Sequence, residues 1–156
     1  MRISEGIEPG AVAVRPEWTT FSETVDGLIE RLVESGRLAR SVAEQAASRI
    51  YEREAIASTA MVDIGVSIPH ARIDGVRGII AAIAVSPEAV YYVADGAPIG
   101  IVVLVLSSPS LTGEHLNFLS SVSMLLQSEQ TRLALRRATG TADVWRLIAE
   151  NESLRD

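Results

Sequence analysis

The stretch that most constrains the fold of this 156-residue chain runs from Gly65 to Arg72 and reads GVSIPHAR. Proline fixes its own φ and pushes the residue before it, Ile68, into an extended conformation. The apolar residues before Pro69 therefore predict a strand that stops here and leaves the imidazole of His70 at its rim. A side chain held on a regular element is placed more accurately than one on a free loop. We therefore take His70 as the first candidate for a chemical role.

Composition excludes several kinds of chemistry. All 14 basic residues are Arg, so the chain can hold neither a Walker-A phosphate loop nor a Schiff-base lysine. The absence of Cys excludes thiol catalysis, Cys-ligated zinc and disulfides, and is typical of a reducing compartment. A net charge of -6 argues against a nucleic-acid module, because phosphate binding needs a basic field.

Nothing in the sequence predicts insertion into a membrane. Apolar runs such as Ile101–Leu106 are far shorter than the roughly 20 residues that a membrane helix needs. The first residues, Met1–Gly6, lack the apolar core of a signal peptide. We expect a cytoplasmic protein.

Local patterns predict helices at both ends of the chain. Thr20 with Glu23 forms a capping box before an amphipathic helix that Gly36 ends, and Ser41 with Glu44 predicts the start of a second helix. Thr112 is the predicted cap of a later helix that carries His115 in its first turn, on the same face as several leucines. The ring of His115 should therefore face the core or a cleft.

The middle of the chain predicts strands. Ile79–Val85 and Gly100–Leu106 are continuous apolar runs, typical of strands covered on both faces, and Ala89–Val93 is a shorter candidate. Residues 1–16 are predicted to be a lead-in with at most an edge strand around Ala11–Val14, followed by a domain over residues 17–152 whose tail frays after Ile148. The simplest architecture is one α/β layered domain.

Two histidines carry the chemical potential of the chain, His70 and His115. A neutral imidazole has a reference pKa of about 6.5 and a free lone pair, so it can attack phosphorus. The labile bond that results suits a carrier, and Arg53, Arg72 and the helical turn beside His115 are candidate donors to the phosphoryl oxygens. By position alone, a histidine near a strand end is more often structural or simply exposed, and one like His115 is more often an interior histidine with its hydrogen bonds satisfied. An arginine near a helix end, like Arg53, is usually a surface charge.

Other site types fit less well. Gly65–Pro69 is similar to the start of a nucleophile elbow, but the second glycine is missing and proline cannot continue into the required turn. His70, His115 and Glu114 could bind a metal, although no His-Glu-x-x-His or similarly spaced motif is present. We expect neither a metal nor a cofactor.

Through four motifs and their order, the chain resembles the enzyme IIA domain of the bacterial phosphoenolpyruvate phosphotransferase system, in its fructose, mannitol and nitrogen-regulatory class. The motifs are Arg53-Glu54, Ser58-Thr59, Gly65–His70 and His115-Leu116, and the resemblance covers roughly residues 18–151. It implies a mixed β-sheet of about four or five strands covered by helices. This chain has Ala60 where the family usually has glycine after Ser-Thr, which removes a residue free to adopt φ > 0.

The resemblance also implies roles and partners. His70 would be the phosphoacceptor, His115 would orient its ring or contact the phosphoryl group, and Arg53 would help to hold the phosphate, with Thr59 and Arg72 as further phosphate-stabilising candidates. The donor would be an HPr-like phosphocarrier, and the acceptor a IIB domain or, in the regulatory branch, no sugar system at all. Because the sequence has neither a Cys nor a spanning helix, we expect no attached IIB or membrane IIC portion. Such a free-standing unit looks more like the nitrogen-regulatory branch. The alternative is a regulatory module that keeps the fold, binds a target protein and transfers nothing.

Overall fold

The computed structural model of this protein describes residues 1–153. Its helices are α1 (Ile3–Gly6), α2 (Phe21–Glu34), α3 (Ala43–Ile56), α4 (Thr112–Leu125), α5 (Glu129–Arg137) and α6 (Thr141–Ser153). Its strands are β1 (Ile7–Val14), β2 (Ala60–Met61), β3 (Val66–Ser67), β4 (His70–Arg72), β5 (Ile79–Val85), β6 (Tyr91–Tyr92), β7 (Pro98–Ile99) and β8 (Ile101–Ser107). No helix in this part of the chain is long and apolar enough to cross a membrane.

The main sheet is mixed and has six strands. Its order is β1-β5-β8-β3-β2, and β4 also pairs with β8. β5 and β8 are antiparallel, whereas β1 is parallel to β5, and β3 and β4 are parallel to β8. The predicted α/β domain with a mixed sheet is confirmed. The sheet has more than the four or five strands expected, because it includes three strands of only two or three residues, β2, β3 and β4.

Helices cover both faces of the sheet, which explains why the central strands are apolar throughout. Alternate residues of a strand point to opposite faces. Even-numbered residues of β5 and β8, such as Ile80 and Leu104, pack with α2 and α3, whereas odd-numbered residues, such as Ile83 and Val103, pack with α4, α5 and α6. All seven residues of each strand are buried. The two longest strand predictions are confirmed to within one residue.

Helix α2 follows its local signals, and α3 does not. The Thr20 side chain accepts a hydrogen bond from the Glu23 backbone N–H at 3.1 Å, and Gly36 adopts a φ of +79° after the helix. The predicted cap at Ser41 is wrong, because residues 40–42 form a 3₁₀ turn and α3 begins only at Ala43. Within that turn the Val42 N–H donates to the Ala39 carbonyl, so no side-chain cap is required.

The segment around Pro69 interrupts a strand without ending it. The sequence predicts that the strand stops at the proline, whereas β3 ends at Ser67 and pairing with β8 resumes in β4. Proline has no N–H to donate, but its carbonyl still accepts a hydrogen bond, here from the Val105 N–H at 3.0 Å. His70 therefore opens a strand instead of following one.

The two ends of the described chain pack against each other. β1 pairs in parallel with β5 over a longer range than the predicted edge strand, so residues 7–14 belong to the main sheet. The carboxylate of Glu152 in α6 accepts the backbone N–H groups of Ile3 at 2.7 Å and Ser4 at 3.2 Å. The prediction that the chain frays after Ile148 is wrong for residues 149–153, since α6 continues to Ser153. Residues 154–156 lie outside the described residues.

Candidate functional site

Strand β4 presents His70 at the edge of an open cleft. Ala71 is buried in the core beneath α2 and α3, so its neighbours His70 and Arg72 point to the opposite face of the strand. Nδ1 of His70 lies 2.8 Å from the carbonyl oxygen of Ile68. A carbonyl can only accept, so Nδ1 carries the ring proton and Nε2 keeps a free lone pair.

The surroundings of His70 keep its ring neutral. Burial lowers its pKa, the Arg53 charge lowers it further, and the hydrogen bond to Ile68 and the Glu54 charge oppose the shift. The net direction is downward from the usual value of 6.5. At neutral pH the ring therefore has the uncharged, nucleophilic form.

His115 lies beside His70, in the first turn of α4. The two ring centroids are 5.5 Å apart and the planes are tilted by 55°. His115 is only 4% exposed, and its Nδ1 is hydrogen bonded to the hydroxyl of Ser107, the last residue of β8. Burial, assisted by the nearby His70 and Arg72, lowers the pKa of His115 to about 4. Both rings are thus neutral at pH 7.

The cleft that joins these rings has a volume of about 500 Å³ and combines cationic and apolar side chains. Besides the two histidines, its lining consists of three arginines, Glu52, Thr112 and four apolar residues. The arginines are Arg49, Arg53 and Arg72, and the apolar residues are Ile56, Ala71, Leu116 and Leu119. Ile56 is 83% exposed and Leu116 is 59% exposed. The lining thus carries more positive than negative side chains in a protein of net charge -6.

The arginine side chains are held in different ways. Nη1 of Arg53 donates to the carbonyl of Ala57, just past the end of α3, at 3.0 Å. Nη1 of Arg72 donates to the hydroxyl of Thr112, at the start of α4, at 2.6 Å. Each of these groups still has further N–H donors. An anionic group on His70 would therefore lie in a cationic cleft.

Thr59 is the one predicted site residue that the structure does not bring to the cleft. Its backbone N–H and its hydroxyl both donate to the carboxylate of Glu54, at 2.7 and 2.8 Å. The departure at Ala60 is accommodated because this residue pairs with Ser67 in a short antiparallel ladder and needs no positive φ.

Sequence reasoning missed three residues of this site. Arg49 lies one helical turn before Arg53 on α3, and that spacing of four was a usable signal. Thr112 was predicted only as the cap of α4, and that prediction is wrong, because α4 starts at Thr112 after Leu111 and no side chain caps it. The Thr112 hydroxyl instead accepts the hydrogen bond from Arg72. Ser107 ends a purely apolar strand, and a polar residue in that place was a weaker signal.

The chemistry available here is the capture of an anionic electrophile. Nε2 of His70 is the unprotonated nitrogen of a neutral ring, and arginines stand beside it. Within residues 1–153, no group of three or more His, Cys, Asp or Glu side chains lies together as a metal site would require.

Comparison with known proteins identifies the family. The chain is 31% identical over 132 residues to a PTS system fructose-specific EIIA component of Haloferax volcanii, covering 84% of each chain. It is 30% identical over 118 residues to a nitrogen regulatory protein of Pseudomonas aeruginosa, covering 72% of this chain and 76% of that one.

Solved structures share the fold. The nitrogen regulatory protein IIA-Ntr of Neisseria meningitidis superposes with a TM-score of 0.79 at 22% identity, over 94% of this chain and 98% of that one. The mannitol enzyme IIA of Escherichia coli, solved in complex with phosphorylated enzyme IIB, gives a TM-score of 0.72 at 18% identity, over 92% and 99% of the two chains.

The family-level match covers most of the chain. It runs over residues 7–151, and so includes both histidines and every strand of the six-stranded sheet. This chain therefore belongs to the EIIA 2 family of the phosphoenolpyruvate-dependent sugar phosphotransferase system.

Proposed function

We propose that this protein is a cytoplasmic phosphoryl carrier that accepts phosphate on Nε2 of His70 from an HPr-like donor. The observation that carries the proposal is the hydrogen bond from Nδ1 of His70 to the Ile68 carbonyl. It leaves Nε2 as the free nitrogen of a ring that lines an arginine-containing cleft. Membership of the family supports the same conclusion.

In the proposed transfer no proton has to move on this chain. The N–P bond forms at Nε2 of His70 while the N–P bond of the donor phosphohistidine breaks, and its electron pair returns to the donor nitrogen. The proton stays on Nδ1 of His70 and remains hydrogen bonded to the Ile68 carbonyl, which stabilises the positive charge that the ring gains. Handing the group on reverses these steps.

The remaining site residues would stabilise charge on the phosphoryl oxygens. We propose that His115 donates a hydrogen bond to the group and that Arg53 and Arg72 offset its charge. Thr59 could contribute only after its two hydrogen bonds to Glu54 are broken. Thr59 thus has the weakest structural support among the predicted site residues.

The branch of the system is part of the proposal. We favour the nitrogen-regulatory type, supported by the Pseudomonas relative at 30% identity. The Haloferax relative supports a sugar-specific type, in which the phosphoryl group would pass to a IIB domain. Offering the phosphorylated protein a fructose or mannitol IIB domain separates the two, because a regulatory protein should keep its phosphate.

The carrier function is tested by incubating the protein with phosphoenolpyruvate, enzyme I and HPr, and measuring acid-labile phosphate on the chain. We expect His70→Ala to abolish labelling, His115→Ala to slow it, and Arg77→Gln, on an exposed loop outside the cleft, to leave it unchanged. Absence of label on the wild-type chain with HPr and with its nitrogen-branch relative would contradict the proposal. Capture of a target protein that is unaffected by His70→Ala would then favour a module that binds without transferring.

A further inference from the structure

Ser107 occupies a fixed and fully buried position behind the two histidines. It is the last residue of β8 and pairs with both Arg72 and Ile79 in the sheet. Its carbonyl accepts the N–H of Ile73 at 3.0 Å, and its relative exposure is 0%. As an odd-numbered residue of β8, it points to the face covered by α4, where His115 lies.

The hydroxyl of Ser107 has one hydrogen-bond partner among residues 1–153, Nδ1 of His115. A buried hydroxyl hydrogen that donates to nothing is costly, whereas a hydroxyl oxygen with an unused lone pair is cheaper to leave. The Ser107 O–H therefore points at Nδ1 of His115. Nδ1 then acts as an acceptor, and the single proton of the neutral ring must be on Nε2.

We infer that Ser107 is a positioning residue that holds His115 in the Nε2–H tautomer, so that His115 can donate a hydrogen bond to a phosphoryl group on His70. This inference rests on the proposed function for its purpose, but the tautomer itself does not depend on that function. The two rings then have opposite tautomers, set by partners of opposite polarity. A carbonyl keeps the proton on Nδ1 of His70, and a hydroxyl keeps it off Nδ1 of His115.

The tautomer matters because the alternative would oppose the charge of the phosphoryl group. Nε2 lies on the far side of the imidazole from Nδ1, so it points away from Ser107. With its proton on Nδ1, His115 would present a lone pair to the phosphoryl oxygens in place of a donor. With its proton on Nε2, it offers a hydrogen bond whose strength grows as negative charge gathers.

The tautomers can be read in the unphosphorylated protein by long-range ¹H–¹⁵N correlation spectra of the histidine rings at pH 7. We expect the Nδ1–H form for His70 and the Nε2–H form for His115. In Ser107→Ala the ring of His115 should become a mixture of tautomers. Ser108→Ala, one residue later, should leave the tautomer fixed, because the Ser108 hydroxyl bonds to the Ser110 hydroxyl and not to His115. A wild-type His115 in the Nδ1–H form, or a tautomer unchanged in Ser107→Ala, would overturn the inference.

Kinetics provide a second readout. Phosphorylation of Ser107→Ala by an HPr-type donor should be about tenfold slower than wild type, with Ser107→Thr restoring most of the rate because it keeps the hydroxyl. An equal rate in wild type and Ser107→Ala would contradict a positioning role. If the wild-type tautomers are as expected but His70 takes no phosphate, the proposed function fails and the tautomer assignment stands. If Ser107→Ala does not fold, the wild-type spectrum and the rate of Ser107→Thr still decide the inference.

Discussion

Burial of His115 should make this protein less stable at acidic pH, and one substitution can isolate the effect. The pKa of His115 drops from 6.5 to about 4 on folding, chiefly through burial. Between these two values the unfolded chain binds a proton that the folded chain does not. Stability from this group is therefore complete above pH 6.5 and is lost as the pH falls towards 4.

The size of the effect follows from the shift. Each pKa unit is worth about 1.4 kcal/mol, so the whole shift corresponds to about 3 kcal/mol, of which about 2 kcal/mol is lost by pH 5. That is a large part of the 5–15 kcal/mol typical of a folded domain. The pKa of His70 is also lowered, which adds a loss of the same sign.

The assay is urea unfolding followed by circular dichroism at pH 7.5 and at pH 5, on wild type and on His115→Asn. Asparagine can still bond the Ser107 hydroxyl but does not titrate. Carboxylates and His70 titrate in both proteins and cancel in the difference. We expect the stability advantage of wild type over the variant to shrink by about 2 kcal/mol between the two pH values. A difference that is the same at both pH values would refute a depressed pKa for His115.

Two further predictions concern the elements that support the site. Gly65→Ala should lower the free energy of unfolding by about 1 kcal/mol, because Gly65 has a φ of +66° and an added Cβ would lie 3.4 Å from the Pro98 carbonyl oxygen. Gly113→Ala in α4, where an added Cβ would have no atom within 4 Å, should be neutral or slightly stabilising. Equal urea midpoints for the two variants would count against this reasoning. Arg53→Gln should raise the pKa of His70 in an NMR titration, because the Arg53 guanidinium lowers that pKa in the wild type. The control Arg77→Gln should leave the pKa of His70 unchanged. An unchanged pKa in Arg53→Gln as well would show that Arg53 has no such influence.

The sequence predicted best where local chemistry decides the structure. Thr20 and Gly36 set the ends of α2 through contacts within a few residues, and both predictions are confirmed. The runs that form β5 and β8 are apolar on both faces because helices cover both sides of the sheet, which a continuous run already indicates. For these elements, neighbours in the sequence carry enough information.

Predictions failed where distant residues decide. The strand does not end at Pro69, because β8 supplies hydrogen-bond partners for residues on both sides of it. Residues 149–153 stay helical because Glu152 accepts two N–H groups from the start of the chain. Neither partnership has a local signature in the sequence.

The candidate site shows the same division. The two histidines were picked out as residues, and their separation of 5.5 Å required the structure. Thr59 belongs to the motif that follows Arg53-Glu54 in the sequence, but it donates hydrogen bonds to Glu54 and does not line the cleft. Ser107 emerged only once β8 and α4 were placed side by side.

The proposed carrier function depends most directly on which nitrogen of which residue carries phosphorus. The measurement is a ¹⁵N and ³¹P NMR spectrum of the ¹⁵N-labelled protein, recorded under alkaline conditions after phosphorylation by enzyme I and an HPr-type donor. We predict one phosphoryl group, coupled to Nε2 of His70, with His115 unmodified. Phosphorus on Nδ1 of His70, on His115, or on any other side chain would contradict the central claim.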